Sequence, residues 1–95
     1  MLDSEVYALE TMIAARCEQI DRYVREALPP GDDRSRETDF QLMAFEERRT
    51  MALNALHDAG REPLDIRVGR LERLRRALDC SWEFFRRAGI ASPAG

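Results

Sequence analysis

Few side chains in this chain are equipped for chemistry. Histidine occurs once, at His57, and cysteine twice, at Cys17 and Cys80. A tetrahedral zinc site needs four such ligands, so one copy of the chain cannot assemble it from these residues. A carboxylate-bridged di-iron bundle needs two Glu-x-x-His units. Asn54 occupies the position three before His57 where that motif requires Glu. All fifteen basic residues are arginine. Without lysine there is neither a Schiff-base nucleophile nor a phosphate-loop lysine. Paired acids such as Asp32–Asp33 and Glu46–Glu47 have nothing nearby in sequence to orient them. Catalytic, cofactor-binding and metal-binding residues are therefore all expected to be absent, and the chain reads as non-enzymatic.

The three candidate residues have structural readings as well. His57 falls in the last turn of a predicted helix, where a histidine interacts well with the dipole and the last carbonyls. Cys17 lies on an apolar stripe and reads as a small buried hydrophobe. Cys80 lies off its stripe with Arg76 and Arg87 on the same side, which makes it the thiol better placed for redox or metal chemistry.

At 95 residues the chain is expected to form one domain, with a core small enough that oligomerisation would add to its stability. No apolar run is long enough to span a bilayer. The N-terminus is acidic and amphipathic rather than signal-like. Two cysteines make no disulfide framework, so a reducing cytoplasm is the expected setting. Arginine as the only long cation fits a GC-rich, bacterial-type genome.

The pattern predicts an all-α fold of three long antiparallel helices, an up-down-up bundle that pairs with a second copy. The helices are placed at about 3–28, 37–59 and 65–88, in a single domain of residues 1–90 with a disordered tail at 91–95. The first begins at an Asp3 or Ser4 cap, with Leu2 stapled on Tyr7. It carries Val6, Leu9, Ile13, Cys17, Ile20, Val24 and Leu28 at helical spacing, and Pro29, Pro30 and Gly31 end it. Arg16 falls inside that stripe. It reads as a rim arginine, or as one paired with an acid of the second helix.

In the third helix Leu64, Val68, Leu71, Leu74, Leu78, Trp82 and Phe85 share an arc roughly 120° wide. Asp65 is read as its N-cap and Gly89 as its stop, with Ile90 closing a Schellman turn on Phe85. Ile66 and Phe84 point away from the stripe. The pairs Glu18–Arg22, Asp21–Arg25 and Arg75–Asp79 read as surface ion pairs.

The second helix starts near Ser35 or Thr38, the latter with Gln41 as a capping box, and stops at Gly60. Its apolar residues spread over roughly 220°, more than two neighbours require. That excess predicts either a central helix in a flat layer or a dimer contact surface, the latter made by Phe40, Phe45, Met51 and Leu53, joined by Ile66 and Phe84 from the third helix. Small residues Ala44, Ala52, Ala55 and Ala59 permit close approach.

Three functional classes follow, the last and least supported being an enzyme or cofactor binder with a haem or redox-thiol site in the bundle core. The first is a protein–protein interaction module (adaptor, escort or chaperone, or assembly subunit), homodimeric and engaging another protein. The second is a nucleic-acid-binding regulator using Arg67, Arg70, Arg73 and Arg76 of the third helix. Residues 1–60 carry seven arginines against thirteen acids, and residues 61–95 eight against five. The basic half therefore holds few cations, and the net charge of −3 opposes nucleic-acid binding.

Overall fold

The computed structural model describes residues 2–28, 34–58 and 62–91, and these form three helices with no strand among them. They are α1 (Leu2–Ala27), α2 (Arg36–His57) and α3 (Leu64–Ala91). The molecule is a rod 48 Å long and 19 × 16 Å across. Each helix therefore runs most of its length, since 28 residues rise about 42 Å.

Cross-links between helices set the directions. Glu10, Arg16 and Tyr23 of α1 meet Arg67, Asp79 and Arg86 of α3 in rising order, so these two helices run the same way. On α2, Arg48 meets Ser81 while the earlier Phe45 meets the later Phe85, so α2 runs opposite to α3. The topology is up-down-up. The α1–α3 seam is the most extensive, α2 packs mainly on α3, and α1 and α2 scarcely touch. The helix shared by both neighbours is therefore α3 and not α2.

The core follows the helical period. Val6, Leu9, Ile13, Cys17 and Ile20 come from α1, Phe45, Ala52 and Ala55 from α2, and Leu71, Leu74, Leu78 and Phe85 from α3. Fully burying side chains such as Ile13, Ile20 and Leu78 contributes about 1.5–3 kcal/mol each. Tyr23 packs edge-on to Trp82 at 5.2 Å and donates its hydroxyl to the Arg86 carbonyl at 3.2 Å.

Helix ends differ from expectation in several places. Of the two expected starts of α2, Ser35 is the cap: the Ser35 hydroxyl accepts the Thr38 N–H at 3.1 Å. The helix closes at His57, where the Asp58 N–H donates to the Asn54 carbonyl at 3.0 Å. Ala59 and the expected stop at Gly60 lie outside the described residues, as do Pro29 to Gly31. Leu28 falls just past the end of α1.

Asp3 and Asp65 do not cap, because each helix begins one residue earlier and they sit in its first turn. They still place negative charge at the positive end of the helix dipole. The Arg67 N–H donates to the Pro63 carbonyl at 3.0 Å, which puts the cap position of α3 at Pro63. Gly89 does not stop α3, which continues to Ala91. Glycine permits a left-handed ending but does not impose one, and the alanines around it favour helix. The predicted tail therefore loses Ala91 to the helix, and residues 92–95 lie outside the described part.

Candidate interaction surface

The apolar arc of α2 is divided by its neighbours. Its middle faces the core, with Phe45, Ala52 and Ala55 buried and Leu42 and Leu56 packed against them. Both edges spill into solvent. Phe40 and Met51 emerge on one flank at 66% and 58% exposure, and Leu53 on the other at 51%. Met43, which the arc of apolar residues does not include, is 65% exposed.

At 100° per residue, Phe40, Met43, Glu47 and Met51 fall within roughly 80° of one another on the outer face. Leu53 stands roughly 120° from the middle of that group. The exposed stripe is thus Phe40–Met43–Met51, and Met43, Glu46, Glu47, Thr50 and Met51 line a shallow groove along it.

Phe45 is corrected outright. It is 2% exposed and meets Phe85 edge-on at 6.1 Å, so it belongs to the core. Phe84 is half-buried against the same cluster, 5.7 Å from Phe85. Ile66 is 55% exposed, in the first turn of α3. These six residues therefore do not form one patch.

The charged run at mid-helix separates by side. Arg48 turns inward, donating to Ser81 Oγ at 2.8 Å and to the Ala77 carbonyl at 3.2 Å. Arg49 reaches α1, donating to both carboxylate oxygens of Asp21 at 2.8 and 2.7 Å. Glu46 and Glu47 stay outside and exposed. The two arginines thus fasten α2 to α3 and to α1, and the two acids face the solvent.

The four arginines of α3 do not make one basic surface. Arg67 is 2% exposed and donates to Glu10 at 2.6 Å and to Glu62 at 3.5 Å. Arg70 shares Glu62 at 3.2 Å. Only Arg73 and Arg76 remain exposed. The reason is helical geometry: residues three apart wind around the axis, so such a row cannot stay on one face.

Arg16 pairs with Asp79 of α3 at 3.1 Å, and its guanidinium lies 5.5 Å from the centre of the Trp82 ring. Its partner is not on the second helix because the long seam of α1 is with α3. Glu18–Arg22 forms as expected at 3.3 Å. Asp21 and Asp79 instead serve Arg49 and Arg16, across helices, while Arg25 donates to the Asp21 carbonyl.

The residues with chemical potential are dispersed. His57 is exposed at the end of α2, Cys17 is buried in the α1 stripe and Cys80 is exposed on α3. Burial pushes the Cys17 thiol above its ordinary value; Asp21 raises it further, and Arg49 partly offsets both. Aromatic-disulfide titration of native protein is therefore expected to release one equivalent rapidly, from Cys80, and the second only on unfolding.

The shift also has a pH consequence. Stability linked to protonated Cys17 is fully present below the ordinary thiol value and is lost as pH rises through the folded one. Denaturation midpoints that fall less for Cys17→Ala than for wild type across that window would bear this out. Two equivalents reacting at equal rates in the native state would contradict it. Compared with family models, curated proteins and solved structures, the chain matches none of them.

Proposed function

We propose that this protein is a non-enzymatic interaction module, an adaptor, escort or assembly subunit, that docks through the outer face of α2. One observation carries the reading: Phe40, Met43 and Met51 are all exposed along one face of a helix whose inner face is already packed. Single exposed apolar residues are ordinary, whereas an aromatic and two methionines in one stripe make a contact surface. Methionine suits such a surface because its flexible thioether adapts to a partner's shape. A helix presenting residues at this spacing is suited to lie along a groove or against another helix. Among the described residues no helix is long and apolar enough to cross a membrane, so the stripe does not belong to a spanning segment.

The test is site-specific photo-crosslinking in cells. A photoreactive residue at Thr50, inside the groove, is expected to capture a defined partner; one at Glu26 on α1 is not. The adduct is expected to disappear when Phe40 and Met51 are both changed to Glu, with the helical content and melting temperature unchanged. A second copy and a different protein would both cover the stripe, and the mass of the adduct tells them apart. Equal labelling from Thr50 and Glu26 would overturn the reading.

A further inference from the structure

We infer that the occupant of the α2 face is an amphipathic helix of another protein, with arginine or lysine flanking its apolar side, and not a second copy of this chain. The inference rests on the docking role of α2 proposed above and adds the chemistry of the partner. Its basis is the charge around the stripe. Glu37, Asp39, Glu46 and Glu47 are exposed on α2, and Arg36 is the one arginine of that helix that also stays exposed. Arg48 and Arg49, which would otherwise balance them, are drawn inward to Ser81 and Asp21. Among the described residues no cation forms an ion pair with Glu37, Glu46 or Glu47, and Asp39 has only Arg34 at 3.9 Å.

Self-pairing in the register that stacks the two methionines is opposed by position. Met43 and Met51 stand four residues on either side of Glu47, one helical turn each way. A two-fold interface is self-complementary. Laying Met43 on the partner copy's Met51 therefore brings Glu47 against its own symmetry mate. Like charges meeting in a partly desolvated contact disfavour this register, in which the exposed Arg36 stands eleven residues from Glu47, about 16 Å along the axis and too far to offset them. A helix with Arg or Lys at the matching turn converts the same four carboxylates into attraction, steering the approach and fixing the register.

The test uses two designed amphipathic peptides with an identical leucine face, one flanked by Arg and Lys and the other by Glu and Gln. Binding to the full chain is read by fluorescence anisotropy, with sedimentation of the chain alone alongside. The basic peptide is expected to bind at least about tenfold tighter than the acidic one, a difference that shrinks as salt screens exposed charge. Glu46→Gln with Glu47→Gln is expected to remove most of that preference. Glu18→Gln with Glu26→Gln, on exposed α1 sites, is expected to leave it intact. Phe40→Ser with Met51→Ser is expected to abolish binding of both peptides.

Equal affinity for the two peptides would overturn the inference. So would preference lost equally through the α1 changes, or a dimer of the chain alone that Phe40→Glu dissolves. If Thr50 crosslinking still depends on Phe40 and Met51 while the peptide preference fails, the docking role stands and only the partner's chemistry falls.

Discussion

Replacing Phe85 with alanine is expected to cost about 4 kcal/mol of folding stability, with the guanidinium midpoint falling accordingly. The ring is fully buried and meets Phe45 and Phe84 edge-on at 6.1 and 5.7 Å. Its removal loses transfer energy, opens a cavity and breaks two aromatic contacts at once. A domain of this size has a total stability of only about 5–14 kcal/mol. The melting temperature is thus expected to drop by roughly 20 °C. Phe85→Leu keeps most of the volume and is expected to cost about 1 kcal/mol. Phe40→Ala removes the same ring from an exposed site on α2 and is expected to stay within about 0.5 kcal/mol of wild type. Circular dichroism during denaturation reads all three. Phe85→Ala and Phe40→Ala costing the same would refute this assignment of core and surface.

Arg67→Ala is expected to be nearly as damaging, at about 3 kcal/mol. Arg67 lies at the base of the α1–α3 seam, its guanidinium held by Glu10 and Glu62 and its Nε buried without a partner among the described residues. Alanine deletes the packed stem and leaves two half-buried carboxylates without their shared cation. Methionine retains the stem and removes the orphaned N–H, so Arg67→Met is expected to cost roughly half as much. Adding Glu10→Gln to Arg67→Met is expected to recover part of the remainder, and a double-mutant cycle between the two positions measures the coupling. An Arg67→Ala variant as stable as wild type would show that the buried pair contributes nothing.

The fold was legible where apolar residues kept a strict period. Val6, Leu9, Ile13, Cys17 and Ile20 all proved buried because each falls on one line of a straight helix. The third helix was legible through Leu71, Leu74, Leu78 and Phe85 for the same reason. Leu64 sits on that stripe yet remains 38% exposed, because it is the first residue of α3.

Arginines were the difficulty. Arg67 and Phe85 are eighteen residues apart, five whole turns, so they share a face. The signal was present in the angle, but the residue type suggested a surface stripe. The same effect hid the inward turn of Arg48 and Arg49, which depends on Ser81 and Asp21 from helices that local spacing cannot place. On the candidate surface, Phe40 and Met51 could be read from the sequence. Phe45 could not, since an arc wider than its neighbours require does not say which part will be covered. Met43 lies outside that arc, although its spacing to Glu47 and Met51 places it on their face.

Three helices of alternating direction put Leu2 and Ala91 at opposite poles of the rod. Tension applied between them runs along the line where α1 and α3 lie side by side. The Glu10–Arg67, Arg16–Asp79 and Tyr23–Arg86 ties would then be loaded together in shear, instead of opening one after another like a zip. A handle attached at these poles would meet far more resistance than one attached at α2, which has its main packing on α3 and one arginine tie to α1.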